Sequence, residues 1–319
     1  MDLLDIQGLT THFFTRSGVI KAVDNLSFRL QKGRVLGLVG ESGCGKTVTA
    51  LSVLNLVPSP GKIISGKIFF EGRDLLSLDP AEMRTIRGAK ISMIFQEPMT
   101  ALNPVFTIGD QIAEVLTTHQ HGTKQQALRM ASELLHAVGI PSPEKRLNEY
   151  PHQLSGGMRQ RVMIAMAIAC KPLLILADEP TTALDVTIQA HILELLAKIQ
   201  SDMGMALVLV THDLGLIAER AHEVAVMYAG RIMEQADTKE LFVNPQHPYT
   251  RGLIASIPKP GEMRKTRLRT IRGTVPRLDD LPKGCTFSPR CDIKIEKCET
   301  EPELAEVNPG HFVRCWKAE

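Results

Sequence analysis

Val35-Leu36-Gly37-Leu38-Val39-Gly40-Glu41-Ser42-Gly43-Cys44-Gly45-Lys46-Thr47 decides how the rest of the chain is read. Its first five residues form a continuous apolar run that stops at a glycine, the pattern of a strand buried on both faces. Its last eight fit G-x-x-x-x-G-K-[ST] in full. Each residue type in that pattern has a physical reason. Glycines let the backbone fold closely around phosphate oxygens and turn its N–H groups inward. The helix expected to follow adds the positive end of its dipole. Lys46 brings a mobile charge to β- and γ-phosphates, and Thr47 offers a hydroxyl to Mg²⁺. Gly40, Glu41, Ser42, Gly43, Cys44, Gly45, Lys46 and Thr47 are therefore expected to bind ATP, with Cys44 a small residue at a variable position. A plain glycine turn is the alternative, but the strand before and the helical pattern after are the context that phosphate binding requires.

Working outward, further apolar runs at Leu173–Ala177 and Ala206–Val210 read as buried strands, and Lys67–Phe70 and Val224–Tyr228 as outer ones. Between them, Ala127, Met130, Ala131, Leu134, Leu135 and Val138 recur at helical spacing until Gly139 stops the run, and Ile188, Ile192, Leu195, Leu196 and Ile199 do the same. Short strands alternating with helices predict an α/β fold with a parallel core. The run Leu173–Ala177 delivers Asp178 and Glu179 at its C-terminal end, where parallel sheets bind their ligands. Asp178 suits a water-mediated Mg²⁺ contact, and Glu179 suits polarisation of an attacking water.

Composition sets the limits. The 319 residues are 44% hydrophobic and 23% charged with a net charge of +2, so no strong field points to nucleic acid or an anionic membrane. Aromatics at 4% disfavour base-stacking surfaces as well. The opening MDLLDIQG carries acids where a signal peptide carries bases. Apolar runs such as Val162–Cys170 fall short of the roughly 18 residues of a membrane span. A cytosolic chain, held at a membrane only by partners, is expected. After about Ser256 the text turns proline- and base-rich and then cysteine-bearing, which predicts a boundary: 1–255 as the nucleotide-binding domain and 256–319 as a small irregular cysteine-rich extension.

Leu154-Ser155-Gly156-Gly157-Met158-Arg159-Gln160-Arg161 lies just upstream of the Asp178 strand. In that position it resembles the signature loop of the nucleotide-binding subunits of ATP-binding-cassette transporters, an ABC-type P-loop NTPase fold. The resemblance runs from about Leu3 to Ala236. Members share a helical subdomain, here about 97–160, that docks on membrane subunits. By position in the motif series, Gln96 is similar to the glutamine that touches Mg²⁺ and the attacking water. Ala183-Leu184-Asp185 is similar to the loop crossing the dimer interface, and His212 to the histidine that holds the γ-phosphate. Phe13 is similar to the aromatic that stacks on adenine, with Phe14 the competing position. The catalytic set implied is Glu179, His212, Gln96 and Lys46, and the Mg²⁺ set is Thr47, Gln96 and Asp178. In the family two such domains stack head to tail. Ser155, Gly156 and Gly157 would then act on the partner's ATP. Met158 stands where many members carry glutamine, and methionine is frequent there in peptide importers.

Asn244-Pro245-Gln246-His247-Pro248-Tyr249-Thr250 and the cysteine tail resemble the branch importing dipeptides, oligopeptides and nickel, the dipeptide permeases above all. The resemblance implies two transmembrane permease subunits, a second and homologous ATPase subunit, an extracytoplasmic substrate-binding protein, and a peripheral place on the cytoplasmic face of the plasma membrane. Nickel, glutathione and antimicrobial-peptide importers share much of this text. A soluble ABC ATPase of DNA repair or translation would carry a long coiled-coil insertion or two cassettes in tandem. The tail cysteines Cys285, Cys291, Cys298 and Cys315 are spaced C-x5-C-x6-C-x16-C, unlike the paired C-x2-C of a zinc ribbon. Four thiolates suit a [4Fe–4S] cluster, with zinc and unligated thiols or disulfides as alternatives. Arg290 and Lys294 could offset thiolate charge or simply be exposed bases.

Overall fold

The computed structural model describes residues 2–16, 18–120, 122–182, 184–257 and 270–318. The chain divides into two compact units, one of residues 1–76 and 209–319, the other of residues 77–208. This division differs from the expected boundary near 256. The residues after 270 belong to the first unit, and the stretch 258–269, where the composition changes, lies outside the described residues.

The first unit opens with two long strands, β1 (Asp2–Thr15) and β2 (Gly18–Gln31). They pair antiparallel through several register shifts, and the breaks let one ribbon carry 14-residue strands while it bends. β3 (Val35–Val39) follows, buried along its whole length, and then α1 (Lys46–Val53). β4 (Gly61–Phe70) pairs antiparallel with β1, and the short β5 (Arg73–Asp74) with β4, giving a sheet of order β2-β1-β4-β5.

The second unit carries α2 (Pro80–Ile86), β6 (Ile91–Ile94), α3 (Pro98–Ala101), α4 (Ile108–Gln120), α5 (Lys124–Ala137), α6 (Pro143–Arg146), α7 (Gly156–Ile168), β7 (Leu174–Asp178) and α8 (Val186–Met203). β6 and β7 are parallel, and β7 is buried at every residue, as its unbroken apolar run requires. α5 is started by a reciprocal capping box between Thr123 and Gln126. The second unit ends inside β8 (Ala206–Thr211).

The first unit resumes with α9 (Leu214–Arg220), β9 (Glu223–Tyr228), β10 (Arg231–Asp237), α10 (Thr238–Val243), α11 (Pro248–Ala255), β11 (Ala305–Asn308) and β12 (His311–Val313). β9 lies parallel to β3, with Leu36 opposite Glu223 and Val39 opposite Val226. β10 is antiparallel to β9, β12 to β10, and β11 to β12. β11 and β12 thus extend the sheet that holds β10, β9 and β3 in the first unit. α9 lies close on β3: a Cβ at Gly37 would sit 2.7 Å from the Ile217 side chain. Among the described residues no helix is long and apolar enough to cross a membrane.

Candidate functional site

The loop between β3 and α1 is shaped by two close approaches. A Cβ on Gly40 would lie 2.2 Å from the Met227 carbonyl oxygen on β9, and one on Gly45 2.2 Å from that of Ala22 on β2. Gly45 also has φ +107°, a conformation that other residues rarely adopt. Two strands therefore fix the loop from opposite ends. Cys44 is fully buried, which pushes its thiol pKa up, so it packs as a small side chain. Lys46 is 5% exposed; its Nζ donates to the carbonyls of Gly40 (2.8 Å) and Glu41 (3.1 Å). The ammonium thus lies inside the curl of the loop. Ser42, Gly43 and Thr47 face solvent.

The region after β10 fastens onto this loop through a buried hub. Glu234, fully buried on β10, accepts the backbone N–H groups of Gln246 (2.6 Å) and His247 (2.9 Å), and its carboxylate lies 2.8 Å from His311 Nε2 on β12. Burial pushes the pKa of His247 down to about 3, leaving a neutral imidazole whose Nδ1 accepts the Tyr249 N–H at the start of α11. The hub sets Tyr249, fully buried, so that its hydroxyl accepts the Glu41 N–H at 3.0 Å. The Asn244–Thr250 segment, singled out in the sequence only by resemblance, thus has a mechanical part to play.

Arg290 meets neither expectation, of a counter-charge for the thiols or of an exposed base. Its side chain is 4% exposed and forms a two-pronged ion pair with the Glu41 carboxylate, at 2.6 and 3.0 Å. Its Nε donates to the Arg272 carbonyl at 2.9 Å. The guanidinium lies 5.7 Å from the Tyr228 ring centre and 6.0 Å from that of Phe287. Lys294 is exposed.

The four tail thiols are all free and line one small cavity together with His247, Phe287 and Trp316. Burial pushes the Cys285 thiol up, and Cys298, Cys315 and Cys291 act in the same direction. Among the described residues, however, no group of three or more His, Cys, Asp or Glu side chains is disposed to hold a metal ion. The expected [4Fe–4S] or zinc centre is not preformed.

In the second unit, β7 ends with Asp178 buried, and Glu179 follows at φ +42°, an unusual conformation for a residue with a side chain. Its carboxylate is held from two sides. Gln96, just beyond β6, donates from Nε2 at 3.1 Å, and Thr182 donates from Oγ1 at 2.8 Å, both to Oε2. The structure therefore brings Gln96 and Glu179 together and adds Thr182. Sequence reasoning missed Thr182 because a threonine three residues on carries no signal of its own. Ser155 caps α7 by accepting the Met158 N–H at 3.4 Å, leaving Ser155 and Gly156 exposed at the helix start. Gly157 is instead buried, and a Cβ there would lie 2.9 Å from Ile188. Asp185 precedes α8 and is exposed; Ala183 of the same motif lies outside the described residues.

His212 is exposed between β8 and α9. Of the two candidate aromatics, Phe13 is half-buried with its ring against Gly61, where a Cβ would come within 2.8 Å, and Phe14 is 46% exposed.

The family model described as ABC transporter matches residues 23–182, and the one described as oligopeptide/dipeptide transporter, C-terminal region, matches residues 233–298. The probable peptide ABC transporter ATP-binding protein y4tR of Sinorhizobium fredii is 51% identical, covering 99% of this chain and 95% of that protein. The dipeptide transport ATP-binding protein DppD of Haemophilus influenzae is also 51% identical (99% and 95%), and its namesake in Escherichia coli 48% identical (99% and 96%). Among solved structures, a dimeric post-hydrolysis state of the ATP-binding cassette MJ0796 bound to ADP and Pi is similar, with TM-score 0.67 and 27% identity over 74% of this chain and 98% of that one. With its phosphate loop, its signature segment and the C-terminal region that follows, this chain belongs to the ABC transporter family, among the ATP-binding proteins that carry the oligopeptide/dipeptide C-terminal region.

Proposed function

We propose that this chain is the ATP-hydrolysing subunit of a peptide importer, with Glu179 as its general base. The observation that carries the reading is the Glu179 carboxylate, poised after buried Asp178 and aimed by Gln96 and Thr182. The peptide substrate is supported by the relatives named for peptide and dipeptide transport.

In this reading Lys46 leaves its carbonyl partners for the β- and γ-phosphates, and the N–H groups of Gly43 to Thr47 hold their oxygens. Glu179 takes a proton from the attacking water as its oxygen bonds to the γ-phosphorus and ADP departs. His212 steadies the γ-phosphate, and Phe13 stacks on adenine. Thr47, Gln96 and Asp178 are the oxygen donors available to Mg²⁺, which supplies charge neutralisation on the phosphates when bound. Ser155, Gly156 and Gly157 serve the nucleotide of a second ATPase subunit, and Asp185 lies at that interface. Two permease subunits, to which the helical subdomain docks at the cytoplasmic face of the membrane, convert closure and opening of the pair into transport of peptides delivered by a binding protein.

Replacing Glu179 by Gln tests the base. Steady-state hydrolysis is expected to fall at least about a hundredfold, the usual contribution of a positioned base, while ATP affinity is kept. Normal turnover by the variant refutes the assignment. For the tail, the finer reading is a [4Fe–4S] cluster on Cys285, Cys291, Cys298 and Cys315. It is supported by four free thiols lining one cavity, although ligation requires them to rearrange. Anaerobically purified protein should then be brown with stoichiometric iron and sulfide; a colourless, iron-free protein rules the cluster out.

A further inference from the structure

Among the described residues, the region after residue 270 reaches the phosphate loop through an ion pair, and that contact has a chemical consequence. Glu41 places a carboxylate within a loop whose task is to receive the negative charges of a nucleotide. An unneutralised acid there opposes phosphate binding. The structure shows it answered by Arg290, two-pronged and 4% exposed, at 2.6 and 3.0 Å. The guanidinium is itself fixed: Nε donates to the Arg272 carbonyl, and Tyr228 and Phe287 flank it. Tyr249 holds the Glu41 backbone N–H, and the Glu41 carbonyl in turn accepts Lys46 Nζ. Both the side chain and the backbone of Glu41 are thus tied to residues C-terminal to β9, and Glu41 ties them to the phosphate-binding lysine.

We infer that Arg290 is a positioning residue for nucleotide binding: it neutralises and pins Glu41, so that the C-terminal extension completes the phosphate loop. This rests on the ATP-binding reading of that loop and adds to it a contribution from outside the ATPase motifs. Arg290 acts through Glu41 and touches no phosphate. Its placement is bound to the tail's own fold, since the turn Ser288–Arg290 lies directly between Cys285 and Cys291.

The test is a charge cycle on the full-length chain, read by equilibrium binding of a fluorescent ATP analogue with Mg²⁺, with thermal unfolding measured alongside. Arg290→Gln should weaken binding about tenfold, within the usual range of coupling between linked sites. Adding Glu41→Gln should recover most of that loss, because the offending charge is then gone. A merely structural Arg290 predicts the reverse, with losses that accumulate and a lowered unfolding temperature unrelated to affinity. Unchanged binding in Arg290→Gln, or no recovery in the double variant, overturns the inference. Should Arg290→Gln fail to fold, Arg290→Lys takes its place: it keeps the charge but not the fork and is expected to lose about threefold, and native affinity in that variant overturns the inference equally. Lys46→Ala is the control. If it also binds like the native chain, the ATP-binding reading of the loop fails; if it alone loses binding, only the Arg290 coupling fails.

Discussion

Around Lys46 close backbone approaches shape the chain, with Arg290 and Tyr249 fastening Glu41; around Glu179 the side chains of Gln96 and Thr182 donate to the carboxylate. The phosphate loop is wedged between the carbonyls of Ala22 and Met227, and its ammonium rests on loop carbonyls. The Glu179 carboxylate depends on Gln96 and Thr182, at a residue whose backbone is itself in an uncommon conformation. The contrast fits the tasks proposed for the two regions. A cradle for phosphates must present many N–H groups in fixed directions, which a braced backbone does best. A base must meet a water whose position changes along the reaction, and polar side chains aim one oxygen without enclosing it.

Substitutions in the two regions should therefore fail in different ways. The largest effect is expected at Gly45→Ala. The added methyl meets the Ala22 oxygen at 2.2 Å on a backbone at φ +107°, and strain of about 3 kcal/mol corresponds to about a hundredfold in affinity. ATP binding should collapse, measured by equilibrium titration, and native affinity would mean that packing does not set the loop. Thr182→Ala should be milder and of the other kind. Losing one hydrogen bond to a carboxylate costs about 1.5 kcal/mol, roughly tenfold in kcat, with ATP affinity held. If affinity falls as far as kcat does, the two regions are not separable and the contrast dissolves.

Much of this organisation can be read from the sequence because it is local. The apolar run at Val35–Val39 and all but the first residue of that at Leu173–Ala177 lie in strands for the reason their composition suggests, burial on both faces. The phosphate loop is a contiguous string, and two of its glycines, Gly40 and Gly45, stand where an added Cβ would lie 2.2 Å from a neighbouring carbonyl oxygen. What escapes is whatever depends on distant partners. Thr182 has meaning only once β7 has ended and the chain has turned back on Glu179. Arg290 sits among cysteines in the text, where proximity offers only the thiols or solvent; its carboxylate is 249 residues away. The extension looks separate because β11 and β12 have only four and three residues, too short for periodicity to declare them, yet they continue a sheet through β10. His247 and Glu234 are individually unremarkable polar residues whose joint burial converts a loop motif into a fastening.

The span between Glu41 and Arg290 also bears on synthesis. A ribosome adding about 5–20 residues per second needs roughly 12–50 s to travel the 249 residues that separate them. Throughout that interval the emerging loop carries its acid without the guanidinium that answers it. On the inferred role of Arg290, the phosphate loop is thus completed by a segment translated 249 residues after it, and a chain cut short before Arg290 would leave the ribosome with the Glu41 charge unanswered.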